Sequence, residues 1–293
     1  MKIYGINYGG FGNAVFNLLG TILLKVLFPT MVILSFETME EIEEFKKNAI
    51  QINDEYFLEI LNNKIVHNID ILDSSQNYWN NCYCQYDEIF TIYRKPIVEY
   101  ILAHPQEKIF AGHTYRFFPI ADIISPKETE QYDILLHIRL GDFVHLGWVI
   151  HPENIRQLLE REISEKSNPK IGILVDHRKT YLEKKYVEYV RKVYPKAEIL
   201  ENNDILTDYN ILRNAKHVIV SCSTFSWVAI LFAREDQTVL FPNYEHRWNH
   251  EQFRRTHDRF TYYDFSRISE TDLQHFLSDS STISIPDETN ISL

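Results

Sequence analysis

The chain has 293 residues, of which 45% are hydrophobic, so it is long enough to form two globular domains with separate cores. Its formal net charge of −11 argues against a nucleic-acid partner, because proteins that bind nucleic acids carry basic patches. The three cysteines, Cys82, Cys84 and Cys222, form neither a disulfide framework nor a zinc-binding spacing, and they indicate reduced thiols in a cytoplasmic protein.

The N-terminal segment predicts a strand, a glycine-rich turn and a helix. Residues 2–8 have the composition of a strand, residues 9–12 (GGFG) form the turn, and the helix is expected over residues 13–27. A second strand is expected over residues 30–36. A second helix is expected over residues 38–49, where glutamates precede lysines as the helix dipole favours.

The apolar stretch over residues 14–36 is long enough to suggest a membrane span. Asn17, Lys25 and Pro29 interrupt it, whereas a spanning helix needs about 20 predominantly apolar residues. The residues before it are strand-like and lack the basic character that opens a signal peptide. We therefore expect a buried helix followed by a strand, no membrane span and a cytoplasmic location.

The pattern changes at the polar run of residues 125–131. Before it, residues 50–105 are expected to be mostly helical and residues 108–112 to form a strand. After it, strands alternate with helices, which is typical of a parallel sheet with helices on both faces. The expected strands are 132–139, 170–175, 197–200, 216–221 and 237–241, and the expected helices are 152–166, 180–193, 204–214 and 224–234. The predicted domains are residues 1–128 and 129–277, followed by a polar, mobile tail over residues 278–293.

The glycine turn near the N-terminus is a first candidate site, because backbone N–H groups at the start of a helix can bind a phosphate group. Gly10 and Gly12 match the first two glycines of the dinucleotide fingerprint, but Val15 occupies the third position. Glu37 follows the second predicted strand, where a ribose-binding carboxylate would lie. A nicotinamide or flavin oxidoreductase is therefore one alternative, and a turn of purely structural use is another.

A second candidate site is the segment from Ser221 to Trp227 (SCSTFSW). It follows the apolar strand KHVIV and precedes an apolar helix, so Ser223 or Thr224 can be a structural N-cap. Hydroxyl groups at a helix N-terminus and a strand's carboxyl end can also hold a phosphate group. Trp227, one turn into the helix, is expected to pack in the core.

The third candidate is the stretch LLHIRLGDF, residues 135–143, where a strand ends among charged side chains. His137 and Arg139 alternate along the strand and therefore share one face. Arg139 can form a structural ion pair with a nearby carboxylate while Asp142 caps the turn, or its planar guanidinium can hold a diphosphate. The sequence has neither a P-loop lysine nor an Asp-x-Asp motif, so we expect a nucleotide-sugar site that needs no metal.

These motifs resemble those of the α1,2-fucosyltransferases. HIRLGDF is similar to the family's H-x-R-R-G-D-Y motif, and VSCSTFSWVAILF to its S-T-F-S-W-W motif. GGFGNAVFNLLG resembles its N-terminal G-G-L-G-N-Q segment and, more distantly, the G-R-F-G-N-Q segment of protein O-fucosyltransferases. IFAGHTYRFF and IGILVDHRK are looser matches, and the five matches keep the family's order from residue 9 to about residue 235.

The resemblance implies a GT-B fold, in which two Rossmann-like domains face each other across a cleft. It also implies a metal-independent, inverting transfer of L-fucose from GDP-β-L-fucose to a hydroxyl of a glycan acceptor, with no other cofactor. Carried over by position, Arg139 and Asp142 are the catalytic residues, and His113 and Arg116 face the acceptor. The residues implied to bind the donor are Gly12, Asn13, His137, Arg139, Asp176, Ser223, Thr224 and Ser226.

The general base stays open between Asp142, His113 and His145. The chain also departs from the family: Leu140 replaces its second arginine, Val228 its second tryptophan and Ala14 its glutamine. Another donor, for example a UDP-sugar such as UDP-xylose, is therefore an alternative on the same fold, and so is a sugar-binding relic without catalysis. The expected absence of a membrane anchor favours a soluble enzyme of bacterial or viral type.

Overall fold

The structure of the protein, a computed structural model, describes residues 1–6, 9–84, 90, 92–111, 116–125, 127–176, 179–201, 203–243 and 260–279. The chain divides into two compact units between Lys127 and Glu128. Each unit contains its own sheet of parallel strands. Among the described helices, none is both long enough and apolar enough to cross a bilayer.

The first unit is built around a small parallel sheet. Its elements in chain order are β1 (Lys2–Gly5), α1 (Phe11–Leu27), β2 (Val32–Ile33), α2 (Met39–Lys46), β3 (Ile50–Ile52), α3 (Asp54–Leu61), a π-helix (Asn62–His67), β4 (Asn77–Asn80), α4 (Arg94–Ala103), β5 (Lys108–Ala111), β6 (Arg116–Pro119) and α5 (Ala121–Ile124). The sheet has the strand order β2-β1-β4-β3, and β5 pairs with β6 in antiparallel fashion.

Helix α1 is almost entirely buried and lies close against β1 and the segment that follows β4. Glycine at two positions permits this approach. A Cβ atom added at Gly5 would lie 2.7 Å from Asn17 Oδ1, and one added at Gly20 would lie 2.8 Å from Cys84 Cβ. Neither distance is compatible with a real side chain, so both positions require glycine for the observed packing.

Two buried amides fasten α1 to the end of β4. Asn17 Nδ2 donates to the carbonyl oxygens of Asn80 (2.8 Å) and Cys82 (2.9 Å). Asn80 Nδ2 donates to the carbonyl of Asn17 (3.3 Å) and to Thr21 Oγ1 (3.0 Å), and Asn80 Oδ1 accepts from the Cys82 N–H (3.1 Å). Because buried polar groups are costly unless they are bonded, this network selects one position of α1 on the sheet.

The sequence predictions for the first unit are partly wrong. The region expected to be mostly helical, residues 50–105, contains the strands β3 and β4 as well as helices, and β6 is a strand that the sequence pattern does not predict. Asparagines at both ends of β4 are unfavourable in strands, but the segment pairs with β1 and β3, and Asn80 bonds to α1. Helix α1 begins at Phe11, before the expected residue 13, because Gly10 is its N-cap.

The second unit follows the predicted alternation of strands and helices. Its elements in chain order are β7 (Ile134–Ile138), α6 (Asp142–His145), β8 (Val149–Ile150), α7 (Pro152–Ser164), β9 (Ile171–Val175), α8 (Tyr181–Arg191), β10 (Glu198–Leu200), α9 (Ile205–Asn214), β11 (His217–Val220), α10 (Thr224–Leu231), β12 (Thr238–Pro242), β13 (Phe260–Tyr263), β14 (Arg267–Ile268) and α11 (Glu270–Asp279). Strands β8 and β14 form a separate antiparallel pair.

The main sheet of the second unit is parallel throughout, with the strand order β10-β9-β7-β11-β12-β13. Numbered along the chain, this order is 3-2-1-4-5-6, the doubly wound order of nucleotide-binding sheets. The chain moves outward from β7 in one direction and from β11 in the other. The boundary between β7 and β11 is therefore the topological switch point, outside which ligands bind in sheets of this kind.

These observations confirm the predicted α/β class with parallel sheets. Cys82, Cys84 and Cys222 are free and buried. The sixth strand, β13, and the pair β8–β14 are not predicted by the sequence pattern. Helix α11 extends to Asp279, past the expected start of the tail at residue 278, and residues 280–293 lie outside the described part of the chain. The GT-B arrangement of the two units stays a prediction.

Candidate functional site

Three neighbouring strands of the second unit end in polar residues at the switch point. Strand β7 is followed by Arg139, the adjacent strand β9 by Asp176 and the other neighbour, β11, by Ser221. Because the strands are parallel, their carboxyl ends lie at the same edge of the sheet. The structure thus brings two of the three candidate segments, residues 135–143 and 221–227, together with Asp176.

Arg139 is the cationic centre of this group, and its side chain is 27% exposed. Its Nη2 donates to Asp142 Oδ1 at 2.8 Å, its Nη1 lies 3.7 Å from Asp176 Oδ2, and its guanidinium carbon lies 5.3 Å from the centre of the Phe143 ring. Both carboxylates are half-exposed, so the ion pairs face solvent and contribute little to stability. The arginine is therefore held in place yet accessible from the sheet edge.

The turn after Arg139 is tightly bonded. The Arg139 N–H donates to Ser221 Oγ (2.9 Å), and the Gly141 N–H donates to Glu183 Oε1 in helix α8 (3.0 Å). Gly141 has a φ of 58° and a ψ of −122°, a conformation that side chains disfavour. Leu140 lies between the two bonded N–H groups and is buried in the core of the unit. Arg139 therefore supplies the positive charge of this turn.

The segment at the end of β11 begins helix α10. Ser223 is the N-cap, and its Oγ accepts from the Phe225 N–H (3.3 Å), so the structural role expected from the sequence is present. Ser226 is buried, and its hydroxyl donates to the carbonyl of Ser223 (3.0 Å). Ser223 and Thr224 are partly exposed. Trp227 packs against Phe241 in the core, as expected.

His137 lies beneath the turn and is buried. The pKa of His137 is lowered from 6.5 to about 3, chiefly by burial and also by the nearby Arg139 charge, while the Asp176 carboxylate partly opposes both. The imidazole is therefore neutral in the folded protein at physiological pH. Its Nδ1 lies 3.5 Å from Ser221 Oγ, the group that accepts from the Arg139 N–H. His137 thus supports the turn without adding a positive charge to the site.

This shift predicts that acid destabilises the protein through His137. His137 has a pKa of 6.5 in the unfolded chain and about 3 in the folded protein, so between these pH values only the unfolded chain is protonated there. The free energy of unfolding therefore falls as the pH falls through this window. The contribution of this group approaches about 1.4 kcal/mol per pH unit. Chemical unfolding between pH 4 and pH 7 should give a shallower pH dependence for His137→Leu than for the wild type. Parallel curves for the two proteins would refute the assignment.

The remaining predicted site residues belong to the first unit. Gly12 and Asn13 lie in the first turn of α1 in the first unit, after the N-cap Gly10, and Gly12 is buried there. Arg116 is exposed at the start of β6, and His113 lies outside the described residues. Their predicted contacts with donor and acceptor, like those of the switch-point residues, stay predictions.

Other candidates have partners of their own. Glu37, the ribose-binding candidate, lies 3.4 Å from Lys108 Nζ, and its backbone N–H donates to Glu41 in the cap of α2. His145 contacts Glu270 at 2.9 Å, and this bond raises the pKa of His145, which leaves less of the neutral imidazole that a general base requires. Within the described ranges, no three His, Cys, Asp or Glu side chains are grouped as a metal site would need.

The contacts of two residues with the turn after β7 are not predicted from the sequence. Ser221 is recognisable in the sequence as the first hydroxyl residue after the apolar strand. The bond that its Oγ accepts from the Arg139 N–H depends on the pairing of β7 with β11, which the sequence does not reveal. Glu183 has the spacing of a capping box with Thr180, which predicts a helix start and gives no signal of a contact with Gly141.

The chain was also compared with known proteins. No protein-family model matches it, and no curated protein is detectably similar to it in sequence. Among solved structures it is similar to the E. coli heptosyltransferase WaaC with ADP-2-deoxy-2-fluoro heptose, with a TM-score of 0.46 and 8% identity over 96% of this chain and 100% of that one. It is also similar to the apo form of POFUT1, with a TM-score of 0.33 and 13% identity over 78% of this chain and 93% of that one. Both TM-scores are low, so the function rests on the chain's own residues.

Proposed function

We propose that the protein is a glycosyltransferase that transfers L-fucose from GDP-β-L-fucose to a hydroxyl of a glycan acceptor. The observation that carries the proposal is the position of Arg139: an accessible guanidinium at the switch point of a doubly wound sheet, beside the N-terminus of α10. The same residues carry the resemblance to the α1,2-fucosyltransferase motifs. The choice of donor and the GT-B arrangement rest on that resemblance.

The site can stabilise a leaving diphosphate. In the proposed reaction the oxygen of the acceptor hydroxyl attacks the anomeric carbon, the bond from that carbon to the diphosphate oxygen breaks, and its electron pair leaves with GDP. Arg139 and the N–H groups at the start of α10 would bind the growing negative charge. Asp142 holds the guanidinium through a 2.8 Å bond. The proton of the acceptor hydroxyl passes to a general base, for which Asp142, His113 and His145 are the candidates.

Thermal unfolding with a panel of ligands tests the proposal. The panel is GDP, GDP-fucose, UDP, UDP-sugars and NAD, each measured with the wild type and Arg139→Ala. A ligand at about 100 times its dissociation constant adds about 2.7 kcal/mol to stability, which is a shift of several degrees. We expect GDP and GDP-fucose to stabilise the wild type and to lose most of this effect with Arg139→Ala.

The other ligands separate the alternatives. Stabilisation by UDP compounds alone would support a glycosyltransferase whose donor is a UDP-sugar and not GDP-fucose. This outcome would agree with Leu140 at the position of the family's second arginine. A response to NAD alone would favour an oxidoreductase that uses the N-terminal glycine turn. Binding of GDP-fucose without turnover, over a panel of glycan acceptors, would identify a sugar-binding relic.

A further inference from the structure

Glu183 is a buried carboxylate in the second unit, with 3% of its surface exposed. It belongs to the capping box of α8: Glu183 Oε2 accepts from the Thr180 N–H at 2.7 Å, and the Glu183 N–H donates to Thr180 Oγ1 at 3.1 Å. A capping box needs no further bond. The second oxygen, Oε1, accepts from the N–H of Gly141, which lies 42 positions earlier in the chain. The carboxylate therefore joins α8 to the turn that carries Arg139.

The chain contains a second capping box for comparison. In α2, Glu41 accepts from the N–H groups of Thr38 (3.1 Å) and Glu37 (3.0 Å), and Thr38 Oγ1 accepts from the Glu41 N–H. The Glu41 box is exposed, and these bonds stay within the segment that leads into its own helix. The bond from Glu183 to a distant turn is thus an addition to the helix cap and not a part of it.

The turn itself has two anchor points. Ser221 Oγ binds the Arg139 N–H and Glu183 Oε1 binds the Gly141 N–H, so the backbone is held on both sides of the buried Leu140. The positive φ of Gly141 aims the next residue, Asp142, so that its carboxylate meets the Arg139 guanidinium at 2.8 Å. Loss of either anchor would free the backbone that sets the direction of Arg139.

We propose that Glu183 is a positioning residue that holds the turn from Arg139 to Asp142 in the conformation that binds the donor diphosphate. Its relevance to a nucleotide rests on the function proposed above. Glu183 itself contacts backbone N–H groups and acts on the ligand only through Arg139.

Three variants separate positioning from helix capping. Glu183→Gln leaves one oxygen to accept from two N–H groups. Thr180→Ala breaks the same capping box but leaves the bond between Glu183 and Gly141, and Glu41→Gln makes the same change as Glu183→Gln in the exposed box of α2. Two quantities are measured for each: amide hydrogen exchange over residues 139–143, and the dissociation constant for GDP. Thermal unfolding confirms that each variant is folded.

We expect Glu183→Gln to speed exchange in the turn and to raise the dissociation constant for GDP about tenfold. Thr180→Ala should lower Tm by about 2–4 °C, and Glu41→Gln should lower Tm by the same amount or less. Neither variant should change amide exchange in residues 139–143 or the dissociation constant for GDP. Unchanged exchange in Glu183→Gln, or equal effects of Glu183→Gln and Thr180→Ala on GDP binding, would overturn the proposal. If the wild type binds no nucleotide, the proposed function fails, and the exchange data alone decide whether Glu183 holds the turn.

Discussion

Replacing Arg139 with alanine is expected to slow sugar transfer by roughly 30- to 1000-fold, which corresponds to about 2–4 kcal/mol of transition-state stabilisation. The charge on the leaving diphosphate is larger in the transition state than in the bound donor, so the guanidinium lowers the barrier as well as aiding binding. The measurement is the rate of GDP release from GDP-fucose with a panel of glycan acceptors. Arg139→Lys keeps the charge and loses the planar guanidinium, so its rate of GDP release should lie between those of the wild type and Arg139→Ala.

A matched control for the lost charge is Arg234→Ala. Arg234 also forms an ion pair with a carboxylate, Asp236, but it lies in the turn before β12, at the amino end of that strand and away from the switch point. Its removal changes the net charge by the same amount and should leave transfer within threefold of the wild type. Transfer by Arg139→Ala within threefold of the wild type would remove Arg139 from the mechanism.

Replacing Asn80 with alanine is expected to lower the free energy of unfolding by about 3 kcal/mol or more. Asn80 is fully buried, and the change leaves the Cys82 N–H without its acceptor and removes the donor to Thr21 Oγ1 and to the carbonyl of Asn17. Each buried polar group left unbonded costs about 1–3 kcal/mol. Urea unfolding of the wild type and the variant gives the difference from the shift in midpoint.

Asn63→Ala is the control for the loss of an amide. The Asn63 side chain donates to a single carbonyl, that of Glu59, at the helical surface of the same unit. Its loss should cost well under half as much as the loss of the Asn80 side chain, because water can replace the bond at the surface. Equal losses for the two variants would mean that the network around Asn80 does not hold α1 to the sheet.

The strands of the second unit could be predicted well, because the residues of each strand are themselves recognisable as a strand. The segments of β7 and β9, ILLHI and IGILV, are buried throughout, so they are short apolar runs between polar helices. Strand β4 could not be predicted, since it pairs with β1 and β3 and its Asn80 bonds to α1, and all of these partners lie far earlier in the chain. Strand β13 is separated from β12 by a long interval in the sequence, which hides its place beside β12.

In the candidate site, too, some residues can be recognised from the local sequence and others depend on distant contacts. Arg139 and Ser223 are visible in the sequence because charged and hydroxyl residues directly after apolar strands are typical of a site at a sheet edge. Ser221 and Glu183 act through backbone N–H groups of a distant turn, and such contacts leave no pattern of residue types. Leu140, between Arg139 and Gly141, packs in the core, as its apolar side chain favours.

The strand order of the second unit also constrains when the site can form. The bond from the Arg139 N–H to Ser221 Oγ joins groups 82 positions apart, because the switch point pairs the first strand of the sheet with the fourth. A nascent chain that ends before β11 contains Arg139 but lacks this partner. Pairing over such a separation closes a long loop, which slows folding. The proposed nucleotide binding would therefore report that β7 and β11 have paired, and chains truncated before β11 should give no binding signal.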